Sequence, residues 1–477
     1  MQLLLEHEHS FINGKSYQTQ DMFAVLNPAN QQTVKHASSV DEKGRMLALT
    51  GAKHALEQLR LVSAVQRSEV LKKWHALILS NEKMLAELMV AEQGKPLHEA
   101  LGEVRYAAGF VEWFAQEAIR SYGETIPSQN TSVQLSTIKQ PVGVVLGITP
   151  WNFPLAMITR KVAPAYAAGC SFILKPSEET PLSAIALAKL AVQAGMEAGA
   201  FQVLITTQPA ELIEYYCQCA AIRKLTFTGS TRVGRLLLSQ SATTIKRTSM
   251  ELGGNAPFIV YDSANIAEAV TGLMAAKFRN AGQTCVAANR VLVEQGCMAE
   301  FISCLTTAVA ALKVGDGMVA GNDLGPLIHE PAKVKVEGLI SSALKQGAKI
   351  HYQGAAETGL FIAPVILTHV TPDMDIANTE IFGPVVSVIT FTDEQQSLSF
   401  ANGVEEGLAA YFYSQDVSQI HRVSRALEYG MIGINEGMIS NPVAPFGGVK
   451  QSGLGREGAK QGLDEYLEVK YLCQKFD

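Results

Sequence analysis

From Pro141 onward the chain repeats one pattern, which is an apolar strand, a glycine or proline turn, and a helix. The pattern predicts strands and helices in alternation at 142–148, 155–168, 171–174, 181–194, 201–205 and 224–228. This alternation is typical of a parallel sheet with crossover helices, whose ligands bind beyond the carboxyl ends of the strands. The last strand leads through Thr228-Gly229-Ser230-Thr231 into a helix, and the N–H groups at such a helix start attract phosphate. We therefore predict an α/β fold with a Rossmann-type nucleotide domain.

A second alternation begins after Glu251, with a strand at 256–261, a helix at 264–279 and a strand at 289–294. It predicts a second α/β domain. Near the start of the chain, Asn13-Gly14 suits the two-residue turn of a hairpin over 11–17. Apolar residues at three- and four-residue spacing then predict covering helices at 41–60, 64–80 and 81–93.

These patterns divide the chain into four predicted parts. The polar, β-branched segment 121–141 and the alternating segment 463–477 are expected to pair as a β-arm that needs a partner subunit to cover it. The other parts are a nucleotide domain at 1–120 and 142–250, a catalytic domain at 251–430, and an active-site or linker segment at 431–462.

Composition excludes several function classes. The 39 basic and 45 acidic residues give a net charge of −6 without long runs of either sign, so nucleic acid is not an expected partner. Seven cysteines form an odd count without a C-x-x-C, which indicates reduced thiols and a cytoplasmic location. We expect no export signal and no membrane span, because the first residues lack a basic region and no apolar run reaches about 18 residues. The tract Glu6-His7-Glu8-His9 lies in a terminus expected to fray and lacks spaced partners, so no metal site is predicted.

Two motifs suggest covalent chemistry on a carbonyl group. Cys285 ends the stretch 278–285, and Glu251 lies within the glycine-flanked Met250-Glu251-Leu252-Gly253-Gly254-Asn255. A thiol is a strong nucleophile, and a nearby carboxylate can activate the water that later frees the acyl group. A lone cysteine is more often a small buried apolar residue. The combination of both motifs favours a nucleophile with a general base.

The loop Thr149-Pro150-Trp151-Asn152-Phe153-Pro154 follows the first strand and is stiffened by two prolines. A preorganised amide N–H can stabilise an oxyanion, so Asn152 is a candidate donor, with the backbone N–H of Cys285 as the second. The alternative is that Asn152 caps the helix that begins at Leu155.

Lys175 and Glu178 follow another strand of the same domain and would emerge near a bound nucleotide. Their ordinary interpretation is a solvated turn. An acidic residue in such a place accepts hydrogen bonds from ribose hydroxyls and repels a 2′-phosphate, so Glu178 favours NAD over NADP. The G-x-G-x-x-G at 453–458 has too little chain after it for a dinucleotide fingerprint, and we interpret it as a hinge or an active-site loop.

Six motifs occur in an order that resembles the aldehyde dehydrogenases, and the resemblance spans almost the whole chain. They are T-P-W-N-F-P, L-K-P-S-E, F-T-G-S, M-E-L-G-G-N, G-Q-T-C and Glu380-Ile381-Phe382-Gly383-Pro384. The resemblance implies a nucleotide domain, a catalytic domain and a β-arm, with homodimers or homotetramers usual. It implies that Cys285 is the nucleophile, Glu251 the general base and Asn152 the oxyanion donor. The cofactor contacts that it implies are Trp151, Asn152, Lys175, Glu178, Gly229, Ser230, Leu252, Glu380 and Phe382. The implied cofactor is NAD, with NADP possible.

Within this family the chain is most similar to the succinate-semialdehyde dehydrogenases, through 157–161, 277–280, 433–437 and 445–457. That resemblance implies NAD(P)-dependent oxidation of succinate semialdehyde through a thiohemiacetal and a thioester on Cys285, which water activated by Glu251 hydrolyses. Arg160 and Arg279 would form a clamp for the substrate carboxylate, because guanidinium pairs bidentately with carboxylate, and Ser440 would add a donor. Position 287 is Ala, so Cys285 has no thiol neighbour two residues on with which to form a disulfide switch.

Several alternatives remain open from the sequence alone. The two arginines could instead serve helix dipoles or surface pairs, which would leave the substrate open. The same mechanism could act on glutarate semialdehyde or on uncharged aldehydes. A cysteine-dependent esterase and a dehydrogenase-like scaffold without catalysis are the alternatives outside this reaction.

Overall fold

A computed structural model of the chain describes residues 7–476. The first part of the fold is a helical layer beside short strands. Its elements are β1 (His7–Glu8), β2 (Ser10–Ile12), β3 (Lys15–Tyr17), β4 (Met22–Leu26), β5 (Thr33–Ser38), α1 (Glu42–Leu59), α2 (Ala64–Ser80), α3 (Glu82–Gln93), α4 (Leu97–Ala118), β6 (Thr125–Ile126) and β7 (Val133–Pro141). The predicted covering helices agree with α1 to α3 to within one residue at each end.

The alternating part that follows contains the strands predicted from the sequence. Its elements are β8 (Val144–Ile148), α5 (Ala156–Ala168), β9 (Ser171–Lys175), α6 (Pro181–Gln193), β10 (Phe201–Val203), α7 (Pro209–Gln218), β11 (Ile222–Thr228), α8 (Thr231–Ser241) and β12 (Arg247–Glu251). Together with β2, β3 and a later strand, β22 (Gly453–Leu454), the strands of this part form an eight-stranded sheet in the order β22-β12-β11-β8-β9-β10-β2-β3, whose strands from β12 to β10 run parallel. The predicted α/β class with a parallel sheet is confirmed.

The second alternating part is built around another sheet. Its elements are β13 (Ala256–Val260), α9 (Ile266–Phe278), β14 (Ala288–Glu294), α10 (Met298–Ala310), α11 (Glu330–Lys345), β15 (Lys349–Gln353), β16 (Val365–Thr368), α12 (Asp375–Asn378), β17 (Val385–Phe391), α13 (Glu394–Asn402), β18 (Glu406–Gly407), β19 (Ala409–Tyr413), α14 (Val417–Ala426) and β20 (Met431–Ile434). The chain then continues through β21 (Val449–Lys450), β22, α15 (Ala459–Asp464) and β23 (Leu467–Lys475). Seven strands form this sheet in the order β15-β16-β17-β14-β13-β19-β20.

The hairpin predicted over 11–17 is present as β2 and β3, and its turn residues Asn13 and Gly14 both have positive φ values of 51° and 75°. Such a turn matches the twist of the flanking strands. The hairpin extends the first sheet, because β2 pairs antiparallel with β10. The fraying predicted for 6–9 is wrong within the described residues, since β1 pairs with β5 and Glu8 forms an ion pair with Lys189. Glu6 lies outside them.

The two segments predicted to form an arm do pair. Strand β23 runs antiparallel to β7 along its whole length, from Leu467 opposite Pro141 to Lys475 opposite Val133, and β6 completes this three-stranded sheet. Almost every residue of β23 is exposed. The segment 453–458 is not a phosphate loop, because β22 pairs with β12 and places Gly453 opposite Glu251 at the edge of the first sheet.

Candidate active site

A cavity of about 400 Å³ opens where strands β8, β11 and β12 of the first sheet end. Loops of the second alternating part close its other side. It is lined by Pro150, Trp151, Asn152, Thr228, Gly229, Ser230, Glu251, Leu252, Gly253, Cys285, His329, Pro331, Ala332, Lys335, Glu380, Ile381 and Phe382. The structure therefore brings together Cys285, Glu251, Asn152 and most of the cofactor contacts implied by resemblance, at the edge of the sheet where ligands of parallel sheets bind.

Cys285 lies on a turn with an unusual backbone. Asn280, Ala281 and Gly282 have consecutive positive φ values of 53°, 54° and 77°. Left-handed conformations are costly for residues other than glycine, so surrounding contacts must hold this turn. The carboxylate of Glu99 accepts the backbone N–H of Asn280 at 2.9 and 3.0 Å, and Gln93 Nε2 donates to Asn280 Oδ1 at 3.0 Å.

Gly254 allows the backbone of Cys285 to approach closely. A Cβ atom at position 254 would lie 2.3 Å from the carbonyl oxygen of Cys285, which no side chain tolerates without displacement. Glycine at position 254 therefore allows the loop that carries Cys285 to pack against the loop that carries Glu251.

Burial raises the pKa of the Cys285 thiol to about 12, and the negative charges of Glu380 and Glu251 act in the same direction. The positive charge of Arg160 acts in the opposite direction but does not outweigh burial. The thiol is therefore protonated at neutral pH, and its reaction requires a group that accepts the proton.

Glu251 is the last residue of β12 and is 2% exposed. Neither carboxylate oxygen has a hydrogen-bond partner among residues 7–476. Burial and the charge of Glu457 raise the pKa of Glu251 well above its usual value, although Arg160 and Lys161 lower it. A carboxylate with a raised pKa accepts protons more readily, which is what a general base requires.

Glu457 is a buried residue of this site that the sequence reasoning did not assign. Its carboxylate forms ion pairs with both Arg160 and Lys161, and all three side chains are nearly inaccessible to solvent. Burial alone would raise its pKa, but the two cations outweigh burial and lower it. Glu457 is therefore ionised, and it provides the negative charge that acts on Glu251.

Asn152 lies at the wall of the cavity with its side chain oriented by the nucleophile loop. Its Nδ2 donates to the carbonyl oxygen of Gln283 at 3.0 Å, while Oδ1 has no partner among the described residues. One amide hydrogen thus remains for a ligand. The alternative role as a helix cap is wrong, because it is Glu103 Oε1, and not Asn152, that accepts the backbone N–H groups of Leu155 at 2.9 Å and Ala156 at 3.3 Å at the start of α5.

The helices predicted only to cover the sheet contribute buried polar groups to this site. Lys95 Nζ donates to Glu103 Oε2 at 2.5 Å and to the carbonyl oxygen of Asn152 at 2.8 Å. Asn280 Nδ2 donates to the same carbonyl oxygen at 3.0 Å. Residues of α3, α4 and the turn between them therefore hold the Asn152 loop and the nucleophile loop together. Their helical spacing gave no signal of this role.

Aromatic and acidic side chains surround the cofactor side of the cavity. The ring of Trp151 meets the Phe382 ring edge-on, with centroids 5.7 Å apart. Glu380 Oε1 accepts the backbone N–H of Gly254 at 3.2 Å, and burial raises the pKa of Glu380 to about 7. Ser230 caps α8 by accepting the N–H of Val233. The start of this helix lies at the wall of the cavity, where its N–H groups attract phosphate.

Lys175 and Glu178 do not line this cavity. They form an ion pair at 2.6 Å, and the Glu178 side chain is 40% exposed. Glu178 instead lines a neighbouring cavity of about 350 Å³, and His329 lies on the walls of both cavities. Glu178 thus lies on the cavity next to the main one, and Lys175 lines neither of the two.

On the other side of Cys285 there is a smaller cavity that contains the predicted substrate residues. It is lined by Tyr106, Phe153, Met157, Arg160, Arg279, Thr284, Cys285, Val286, Ser440 and Phe446. The guanidinium of Arg160 lies 4.4 Å from the Phe446 ring centre, and that of Arg279 lies 5.1 Å from the Phe153 ring centre. Arg279 Nη2 donates to Ser440 Oγ at 3.3 Å. Among the residues that the structure describes, Arg160 pairs with the buried Glu457 and Arg279 forms no ion pair.

Within residues 7–476 no group of three or more histidine, cysteine, aspartate or glutamate side chains is arranged to hold a metal ion. A search of the same residues found no helix with the length and apolarity needed to cross a membrane.

Comparison with known proteins agrees with this geometry. Residues 15–472 match the model of the aldehyde dehydrogenase family. The chain is 48% identical to the NADP⁺-dependent succinate-semialdehyde dehydrogenase of Escherichia coli (strain K12), over 98% of each chain. It is 47% identical to a glutarate-semialdehyde dehydrogenase of Pseudomonas putida, again over 98% of each. The crystal structure of succinate-semialdehyde dehydrogenase from Burkholderia pseudomallei superposes with a TM-score of 0.97 at 46% identity, covering 99% of this chain and 98% of that one. The chain therefore belongs to the aldehyde dehydrogenase family, as its ordered motifs indicated.

Proposed function

We propose that the protein oxidises succinate semialdehyde to succinate with a nicotinamide cofactor. One observation carries the proposal: Cys285 lies on the walls of two cavities, a large one at the nucleotide-binding edge of the first sheet and a small one that contains Arg160, Arg279 and Ser440. A thiol in this position can meet an aldehyde from one side while an acceptor of hydride approaches from the other.

The residues of the larger cavity fit a nicotinamide dinucleotide. Thr228 Oγ1 and Asn152 Oδ1 are buried there without a hydrogen-bond partner among residues 7–476, and the start of α8 offers backbone N–H groups suited to phosphate. Trp151, Glu380 and Phe382 would hold the rest of the cofactor. When bound, the nicotinamide ring supplies the acceptor for hydride.

The protein side of the reaction follows from the groups around the sulfur. Cys285 Sγ, which is only half-buried, gives its proton to solvent water in the open cavity and attacks the carbonyl carbon of the aldehyde, forming a thiohemiacetal. The free amide hydrogen of Asn152 and the backbone N–H of Cys285 stabilise the negative oxygen. After oxidation to a thioester, Glu251 takes a proton from water, which attacks the thioester carbon and releases the acid and the thiol.

A carboxylate at the far end of the substrate accounts for the cations in the smaller cavity. Arg160 is 1% exposed, and its Nη2 has no hydrogen-bond partner among the described residues. An unpaired donor on a buried cation is costly, so an anionic ligand would stabilise it. Arg279 and Ser440 are already linked to each other and can bind the same carboxylate.

Arg279→Ala is expected to lower kcat/KM for succinate semialdehyde by about 100-fold, because truncating one partner of a buried charge pair costs several kcal/mol. The value for butanal, which has the same chain length and no carboxylate, should change less than about threefold. Arg235→Ala is the matched control, since Arg235 is exposed and forms its ion pair with the exposed Glu405. An equal loss for both substrates would contradict the clamp.

Two lengths of the substrate's carbon chain are candidates. A relative named glutarate-semialdehyde dehydrogenase is nearly as similar as one named for succinate semialdehyde, so the longer acid is the second candidate. Comparing kcat/KM for the two semialdehydes and butanal shows which acid the enzyme prefers. It also distinguishes such an enzyme from an aldehyde dehydrogenase that does not select for an acid group. We propose succinate semialdehyde because the smaller cavity, about 10 Å³ in volume and lined by Phe446 and the two arginines, favours the shorter acid.

We propose NAD as the preferred cofactor, on the basis of the carboxylate of Glu178 beside the Lys175 ammonium. This carboxylate neutralises the cation that would otherwise attract a 2′-phosphate. The Escherichia coli relative is named for NADP⁺. Measuring whether this protein prefers NAD or NADP therefore tests the role of Glu178.

Glu178→Gln is expected to raise kcat/KM for NADP⁺ by about tenfold and to leave that for NAD⁺ within about threefold, since one charge is removed near the 2′ position. Cofactor titrations at saturating aldehyde measure both values. Glu214→Gln removes a carboxylate on α7 and serves as the control for net charge. An unchanged ratio of the two cofactors would show that Glu178 does not set the preference.

We further propose a homodimer or homotetramer in the cytoplasm. The arm formed by β6, β7 and β23 exposes Ile138, Val469 and Tyr471, and a second subunit would cover these apolar side chains. All seven cysteines are free thiols, which fits a reducing compartment.

A further inference from the structure

Tyr106 is a polar residue of the smaller cavity to which no role has been assigned above. It lies on α4, faces the same cavity as Arg160, Arg279 and Ser440, and is half-buried. The cavity therefore contains a phenolic O–H in addition to two guanidinium groups and an alcohol. A phenol can accept from a cation and donate its own proton at the same time.

The ring of Tyr106 is held by its own helix. It packs edge-on against the ring of Phe110, one turn further along α4, with centroids 4.9 Å apart, and Phe110 is fully buried. Helix α4 is fixed at the site on two sides, because Glu99 binds Asn280 and Glu103 binds the start of α5. The hydroxyl is thus positioned by the same helix that supports the nucleophile loop.

The phenol is in its neutral, donating form. Burial raises the pKa of Tyr106, while the positive charges of Arg160 and Arg279 lower it without outweighing burial. The phenol and both cations line one cavity, so an anion that the cations attract is placed near a neutral O–H donor.

We propose that Tyr106 is a specificity-determining residue whose hydroxyl donates a hydrogen bond to the terminal carboxylate of the substrate. This inference rests on the proposed function and refines it, since it adds a neutral donor to the arginine clamp. A carboxylate has about four acceptor sites, more than one bidentate arginine satisfies. The neutral donor adds affinity for short aldehydes with a terminal acid group and adds no further charge to desolvate.

Tyr106→Phe removes only the hydroxyl and keeps the ring that packs on Phe110. We expect KM for succinate semialdehyde to rise about tenfold with kcat within about twofold, because the bond lies far from the reacting carbon and is made equally in ground state and transition state. Inhibition by the product succinate should weaken by the same factor. The kcat/KM for butanal should not change. Tyr122→Phe, on an exposed tyrosine, is the matched control.

The outcomes separate this inference from the proposed function. If the wild-type enzyme prefers the acid and Tyr106→Phe keeps both the KM and the succinate inhibition constant, the role of Tyr106 is overturned and the arginine clamp stands. An equal loss for butanal and the acid would assign Tyr106 to packing alone. If the wild-type enzyme shows no preference for the acid over butanal, the proposed substrate fails, and the role of Tyr106 fails with it.

Discussion

Cys285→Ser is expected to abolish aldehyde oxidation, with kcat reduced on the order of 10⁴-fold or more, as for the loss of a nucleophile in other covalent enzymes. A serine hydroxyl has a far higher pKa than a thiol, and the buried, partly anionic surroundings that already raise the pKa of Cys285 would oppose its ionisation further. Stopped-flow absorbance of reduced nicotinamide should show neither a burst nor a steady-state phase.

Cys473→Ser is the matched control for this variant, because Cys473 is exposed on β23 and should keep full activity. Alkylation with iodoacetamide should inactivate the wild-type enzyme and the control equally. Turnover that survives in Cys285→Ser would remove the proposed nucleophile. Wild-type ester hydrolysis without reduced nicotinamide from any aldehyde would indicate the esterase instead.

Glu251→Gln is expected to separate the two halves of the reaction. Attack by Cys285 and oxidation should still produce about one equivalent of reduced cofactor per active site, followed by a steady state that is lower by roughly 10²- to 10⁴-fold, the usual contribution of a general base. The reason is that glutamine keeps the shape of the buried side chain but cannot take a proton from water. Quenched-flow measurement of burst and steady state checks both numbers.

The pH dependence provides a second test of the same residue. Because burial and Glu457 raise the pKa of Glu251, its carboxyl group stays protonated to a higher pH than an exposed glutamate does. Only the ionised form is a base, so thioester hydrolysis should rise as pH increases through that raised pKa and fall below it. Glu251→Gln should lose this dependence, and the exposed Glu405→Gln should retain it. An unchanged profile in Glu251→Gln would assign the titration to another group.

The sequence predicted the parts of the fold that depend on local patterns. Alternation of strand, turn and helix located β8 to β12 because each element carries its own periodicity and its own glycine or proline stop. The turn at Asn13-Gly14 was predictable for the same local reason. That this hairpin extends the first sheet beside β10 depends on a contact across almost 200 residues, which no local pattern contains.

The same distinction between local patterns and distant contacts applies to the candidate site. Motifs identified Cys285, Glu251 and Asn152, and the structure places all three on one cavity. The supports of those residues were missed, because Lys95 and Glu103 follow ordinary helical spacing and meet Asn152 only in the folded chain. Local sequence left the cap of α5 undecided for that reason.

Backbone contact between two loops has a mechanical consequence. A Cβ atom at Gly282 would lie 2.3 Å from the carbonyl oxygen of Gly383. The backbone of the turn before Cys285 is therefore in close contact with the loop that carries Glu380 and Phe382. Both segments are conformationally restricted, because the turn before Cys285 is a run of residues with positive φ values and Phe382 has a φ of 58°. We therefore expect a displacement of one loop to shift the other, which links the position of Cys285 to that of Glu380 and Phe382.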